Sequence, residues 1–207
     1  MTRPYLVGLT GSIGMGKTET AKMFARLGIP VYDADASVHK LYEHGGKAVA
    51  EIAREFPESI VEGRVDRPAL ARRVAAERGA LQRLERIVHP LVAEEQRRFL
   101  AESEGVGAEM VVLDIPLLFE TGGDQRMDAV VVVSAPQELQ RARVLSRAEM
   151  TEDKLDHILA RQMPDTEKRA KAHFVVETGR GLEHAFDQVK QIVAELHERR
   201  LKENSGA

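Results

Sequence analysis

Cysteine is absent from the 207 residues, which removes disulfides, thiol catalysis and cysteine-ligated zinc together. Tryptophan is absent too, and aromatic residues make up only 4%, so no platform for stacking single-stranded bases is expected. Neither sign of charge is in large excess: 30 Lys and Arg face 33 Asp and Glu, a net charge of −3. Wrapping nucleic-acid phosphates over a broad surface wants a basic excess, so no nucleic-acid partner is expected. No run reaches the roughly 18 apolar residues of a membrane span, so no membrane partner is expected either. The start, Met1-Thr2-Arg3-Pro4-Tyr5, passes straight into a short apolar stretch without the order of a secretory signal, and the expected location is cytoplasmic. Asparagine is nearly missing: Asn204 is the only one, which disfavours a GTPase that reads guanine through an N-K-x-D segment. No LSGGQ-like segment is present, which argues against a transporter-type ATPase.

What is present suffices for a real core. Hydrophobic residues make up 43% and charged residues 30%. The length suits one compact domain with insertions. Apolar runs at 5–10, 29–32, 110–114, 129–133 and 174–177 read as strands, the fourth β-branched as a buried parallel strand should be. Helical spacing covers 17–27, 36–44, 47–56, 68–78, 81–100, 136–147, 151–162 and 182–201, and the tail 202–207 is expected to fray. His89-Pro90 is expected to kink or divide the helix over 81–100, because proline removes an amide donor. Residues 57–67 read as polar turns. Alternating strands and helices with interior strands apolar on both faces predict an α/β fold, a parallel sheet with helices on both faces. The helical stretch between the second and third strands is too long for one crossover, which predicts a helical insert beside the sheet.

Gly11-Ser12-Ile13-Gly14-Met15-Gly16-Lys17-Thr18 matches G-x-x-x-x-G-K-[ST] in full, after an apolar strand and before a helix. Glycines let the backbone curl so that several amides face one phosphate chain. The helix that follows adds unpaired N–H groups and a positive dipole end. Lys17 can reach the β- and γ-phosphates, and the Thr18 hydroxyl can sit on Mg²⁺. Glu19, next in the first helical turn, completes the nucleotide-binding set. A nucleoside triphosphate is the expected ligand.

Asp33-Ala34-Asp35 follows the second strand, at the strand end that faces the ligand crevice in a parallel sheet. A carboxylate there can accept a proton from an attacking hydroxyl or hold a water on Mg²⁺. The bland alternative is a helix cap, with Asp35 as the candidate for that role.

These residues resemble the dephospho-CoA kinase family. Leu9 to Thr18 resembles its phosphate loop and Asp33-Ala34-Asp35 its strand-end acids. Asp66-Arg67-Pro68-Ala69-Leu70 and His89-Pro90-Leu91 are similar to its helical substrate region. Asp114 to Glu120 is similar to its third-strand motif. Gln140-Arg141-Ala142-Arg143 through Met150-Thr151, then Ala160 to Met163, resemble its lid and the helix after it. The resemblance implies a P-loop NTPase fold and an ATP-dependent kinase of the ribose 3′-hydroxyl of dephospho-CoA, with Mg²⁺. It implies a nucleotide-binding core over 1–35, 105–135 and 172–207, a helical acceptor-binding region over 36–104, and a lid with its following helix over 136–171. A monomer or weak homo-oligomer is expected. Asp35 matches the family's catalytic base, with Asp33 supporting it or the metal. Where the family usually has Asp and Asn, His173 and Thr178 stand here, which puts a nucleotide contact by either in doubt.

Arg143 and Arg147 are four apart and are expected to share a helix face, from which a lid arginine can neutralise charge on the transferring phosphate. Arg143 is taken as catalytic and Arg147 as nucleotide-binding; a solvated basic face is the alternative. Arg141 is expected at the surface. By resemblance, Arg161 or Gln162 lies near adenine. Asp114 ends a strand as a metal-contacting acid would, although the apolar Leu117-Leu118-Phe119 suggests a wall instead. Glu120, His89, Arg64, Arg67, Arg72 and Arg73 are candidates for acceptor contacts. Two other readings stay open: a P-loop kinase of another small hydroxyl acceptor such as a nucleoside or nucleotide, and a regulatory protein that binds ATP without turning it over.

Overall fold

A computed structural model describes residues 3–205, so Met1 and Thr2 of the amino-terminal reading lie outside the described residues. The chain divides into two compact units, one of residues up to Val31 together with those from Ser103 onward, the other Tyr32–Glu102.

The larger unit is built on a parallel sheet. Its strands are β1 (Tyr5–Thr10), β5 (Met110–Asp114), β6 (Ala129–Ser134) and β7 (Phe174–Glu177), with β2 (Val31–Asp33), within which the division falls, in the order β2-β5-β1-β6-β7. β1 is central: Leu9 lies in register with Asp114 of β5 and with Val131 of β6. β5 and β6 are buried at every position, as β-branched strands covered on both faces must be. One face packs Val7, Leu9, Val131 and Val133 against Phe24 of α1 (Lys17–Arg26) and Val189 and Leu196 of α9 (Leu182–Ser205). The other packs Val130 and Val132 under Leu118 and Phe119, with Met163 and Ala172 alongside. This is the α/β fold of P-loop NTPases, with the phosphate loop leaving the central strand.

The second unit is helical: α2 (Ala34–Tyr42), α3 (Val49–Glu55), α4 (Arg67–Ala76) and most of α5 (Ala80–Gly105) surround Leu41, Ile52, Phe56, Leu70 and Val88. Tyr32 also packs on Phe99, ring centroids 5.5 Å apart.

Several sequence expectations are corrected. α5 runs through Pro90 as a single helix rather than dividing there. Proline forfeits one internal hydrogen bond, and the apolar stripe of Leu84, Ile87, Val88, Leu91 and Val92 packs on the same core on both sides of it. Residues 57–67 are not turns alone. After a 3₁₀ turn, β3 (Ile60–Val61) pairs antiparallel with β4 (Arg64–Val65) across Glu62 and Gly63, both at positive φ. α6 (Gln137–Leu145) stops before Arg147, so Arg143 and Arg147 do not share a helix face; the chain turns at Ser146, and the exposed Arg147 lies outside the helix. The helix expected over 151–162 is α7 (Glu152–Leu159), capped by Thr151, and a further helix, α8 (Asp165–Lys171), follows Pro164. The tail expected to fray is helical through Ser205, while residues 206–207 lie outside the described residues. Among the described residues, no helix is long and apolar enough to cross a membrane.

Candidate active site

The phosphate loop links β1 to α1. Gly16 is the N-cap of α1, with φ 96° and ψ 17°, and no side chain caps the first turn. The amides there stay available to an anion, and the left-handed conformation is one that glycine adopts without strain. Gly14 has φ 79°, and a Cβ there would come within 2.5 Å of Val144 Cγ2 on α6. The loop therefore needs glycine for its curl and for close packing below it.

The loop's outward polar atoms are held by side chains from distant segments. The Ile13 amide donates to Gln162 Oε1 at 3.1 Å, and Gln140 Nε2 donates to the Ile13 carbonyl at 2.7 Å. The Thr178 hydroxyl donates to Met15 O at 2.6 Å. Arg143 Nη1 donates to Thr178 Oγ1 at 2.9 Å and approaches Gly14 O at 3.4 Å, while its Nη2 donates to Thr178 O at 2.9 Å. Arg143 thus braces the loop from α6, and buried Thr178 fills the space beside Gly16. Sequence reading treated Thr178 only as a departure from a pattern, and it did not single out Gln140.

Lys17 is ion-paired with Asp114 at the end of β5, the two side chains only 16% and 4% exposed. The β1–β5 register brings this about, since Asp114 sits beside Leu9 one strand away from the loop. A cation held on a buried carboxylate is preorganised for a phosphate chain arriving at the adjoining amides. Thr18 and Glu19 are exposed on the first turn, and Glu19 pairs with Lys22 at 2.7 Å. Among the described residues, no three metal-ligating side chains cluster. The exposed Thr18 hydroxyl is an oxygen donor of the kind Mg²⁺ accepts.

Glu120 lies beyond β5. It accepts from the Met163 amide at 2.8 Å and pairs with Lys168 at 2.9 Å; the Lys168 side chain is 0% exposed. Burial pushes the Glu120 carboxyl up, but Lys168 and the Met163 amide outweigh it and hold it below its ordinary value of 4.5. Nothing in the sequence marks Lys168, which stands among the charged residues Glu167, Arg169 and Lys171. Next to this network is a cavity of about 510 Å³, lined by Ser12, Met15, Gln140, Gln162, Met163 and Asp165 among others.

In the helical unit, Asp33 caps α2, accepting from the Ala36 amide at 2.9 Å. The cap is therefore Asp33, not Asp35, whose carboxylate stands exposed in the first turn. His89, Arg64, Arg67 and Arg72 are exposed, and Arg73 pairs with Glu58 at 2.6 Å and with Glu77. In the larger unit, His173 exchanges backbone and ring bonds with Val130: its amide donates to Val130 O at 2.9 Å, and its Nδ1 accepts from Val130 N at 3.1 Å. Arg141 joins α6 to Glu152 and Asp156 of α7. Arg161 is exposed.

Comparison with known proteins agrees with this geometry. The family model described as dephospho-CoA kinase matches residues 5–183. A dephospho-CoA kinase of Bradyrhizobium diazoefficiens is 55% identical over 191 residues, covering 92% of this chain and 95% of that protein. One from Rhodopseudomonas palustris is 53% identical over 189 residues, covering 91% and 94%. A solved structure from Thermus thermophilus superposes with a TM-score of 0.81 at 36% identity, covering 94% of this chain and 99% of that one.

Proposed function

The chain belongs to the dephospho-CoA kinase family, and from that premise we propose that it transfers the terminal phosphoryl group of ATP to the ribose 3′-hydroxyl of dephospho-CoA, yielding coenzyme A and ADP. The observation that carries this reading is the uncapped start of α1 beside a lysine already held on Asp114. Amides and Lys17 neutralise the phosphate chain as charge shifts toward the β-phosphate. The acceptor oxygen attacks the γ-phosphorus in line, the bond to the β–γ bridging oxygen breaks, and ADP leaves. Asp35 takes the acceptor proton. It is available because Asp33 spends its carboxylate on the Ala36 amide. Arg143 supports the transferring group through the loop it braces, with Arg147 on the nucleotide.

Thr18 is the residue that would hold Mg²⁺, which when bound neutralises the β- and γ-phosphate oxygens. Residues 1–35, 105–135 and 172–207 act as the nucleotide-binding core, 36–104 receives the acceptor, and 136–171 closes as a lid that excludes water. The same reading places the chain in the cytoplasm as a monomer or weak homo-oligomer. The test mixes protein, Mg·ATP and candidate acceptors and follows ADP. ADP formed with dephospho-CoA and not with nucleosides supports the proposal; turnover with a nucleoside and none with dephospho-CoA overturns it.

A further inference from the structure

Ile13 is the one loop residue whose amide and carbonyl are both held by side chains, and both of those side chains are glutamines. Their chemistry is opposite. Gln162 offers its carbonyl oxygen to a donor, whereas Gln140 offers its NH₂ to an acceptor. The polarity of the Ile13 backbone dictates both orientations, because an amide oxygen must face an N–H and an NH₂ must face a C=O.

The two glutamines come from the two stems of one hairpin. Gln140 lies on α6 and is 4% exposed, and Gln162 follows the end of α7. The stems are tied to each other through Arg141, Glu152 and Asp156. The Gln162 stem is fixed again one residue later, where the Met163 amide is held by Glu120 and that carboxylate by buried Lys168. Gln162 is therefore pinned at its backbone and its side chain, with little freedom to follow the loop passively.

We infer that Gln140 and Gln162 are positioning residues for phosphoryl transfer: they clamp Ile13 from both stems of the α6–α7 hairpin and so set the curl of the phosphate loop. The inference rests on the reading that this loop delivers the phosphoryl group. Movement of the hairpin is transmitted to the loop through these two bonds, and a loop shifted by even a fraction of an ångström presents its amides poorly to the phosphate chain.

The same substitution made at both positions tests the clamp. Gln162→Glu keeps an oxygen facing the Ile13 amide. Gln140→Glu sets an oxygen against the Ile13 carbonyl and breaks the bond. Both variants add a negative charge beside the loop, so both raise KM for ATP. Only Gln140→Glu is expected to lower kcat as well, by about 10-fold, as misplacement of a reacting group does. Gln140→Met and Gln162→Met, which lose the bonds without adding charge, are expected to lower kcat by a similar factor with KM for ATP within about twofold of the parent. Equal kcat for the two Glu variants, or parental kcat in the two Met variants, overturns the clamp. If the buried Gln140 position does not tolerate replacement, the pair at Gln162 decides alone: Glu retaining kcat while Met loses it supports the inference, and the reverse overturns it.

A second readout needs no substrate. Hydrogen exchange at the Ile13 amide, followed by NMR, is expected to be slow in the parent and in Gln162→Glu and faster in Gln162→Met. Unchanged exchange in Gln162→Met overturns the clamp. A parent enzyme that made no ADP with dephospho-CoA would sink the functional reading, yet the exchange result would still stand.

Discussion

The phosphate loop and the helical unit over Tyr32–Glu102 use polar groups in opposite ways. Around the loop, neutral or braced side chains grip backbone atoms one by one: Gln162 on Ile13 N, Gln140 on Ile13 O, Thr178 on Met15 O. Across the helical unit, long charged side chains pair with one another near solvent, as Lys47 does with Glu94 at 2.7 Å and Glu95 at 3.0 Å. Exposed pairs of that kind contribute little, because water and salt screen them and ordering two flexible chains costs entropy. The loop's contacts are not strong individually either, but they fix direction. The larger unit places polar bonds where geometry matters, and the helical unit leaves cohesion to Leu41, Ile52, Phe56 and their neighbours.

The largest expected effects are on turnover. Lys17→Ala should lower kcat by several orders of magnitude while the protein stays folded, if its ammonium meets the phosphate chain as proposed. Near-parental ADP formation would remove the loop from the mechanism. Asp35→Asn should cut kcat by roughly 10²–10⁴ if it accepts the proton, a kinetic loss from within the unit otherwise marked by tolerant surface pairs. A far larger loss in Asp33→Asn than in Asp35→Asn would reverse the two roles. Asparagine caps a helix about as well as aspartate, so Asp33→Asn should keep its melting temperature, whereas Asp33→Ala should lower it by removing a cap worth about 1 kcal/mol.

Next comes a stability effect confined to the larger unit. Lys168→Met strips the partner from Glu120, and breaking a buried ion pair from one side costs about 3–5 kcal/mol. For a chain of this size each kcal/mol lowers Tm by roughly 2–4 °C. The double variant Lys168→Met with Glu120→Gln should recover most of the loss, because no charge is then stranded and an acceptor for the Met163 amide remains. The pair also sets an acid limit. A carboxylate held below its ordinary value of 4.5 contributes its full stabilisation above that pH and loses it as pH falls through the lower folded value. The stability gap between the parent and Lys168→Met should therefore narrow on acidification; a gap that widened would place the Glu120 shift in the wrong direction.

These contrasts explain what the sequence could reveal. Gly11 to Thr18 was legible because its chemistry is local: the glycines, the lysine and the helix start are consecutive. The parallel sheet was legible from Val130 to Val133, a β-branched run that suits a strand covered on both faces. The clamp on Ile13 was not, because its partners lie 127 and 149 residues away and nothing about an isolated glutamine marks it as a loop contact. Lys168 was hidden for a related reason: helical periodicity buries one residue of a charged run, and only the fold reveals Glu120 opposite. Pro90 did not divide α5. Its local penalty is real, and the apolar stripe on either side outweighed it. Asp33 and Asp35 stand out in the sequence as a pair, but only the fold shows that Asp33, not Asp35, is the cap.

The smallest expected effect is the most direct test of the contrast between units. Lys47 raises no backbone geometry and buries no charge; its ammonium, Glu94 and Glu95 all face solvent to some degree. Hydrogen bonds donated by Lys47 to Glu94 and then Glu95 hold Lys47 above its ordinary 10.5, and the same bond to Lys47 holds Glu94 below 4.5. The Glu94 contribution is present above its ordinary range and fades as pH falls, while the Lys47 contribution is present below 10.5 and fades as pH rises through the folded value. Between those limits Lys47→Met should lower Tm slightly, by much less than Lys168→Met, and high salt should erase the difference because the charges are screened. Thermal melts of both variants at low and high salt make the comparison. A salt-independent loss at Lys47 as large as that at Lys168 would mean that the helical unit is held by its ion pairs after all.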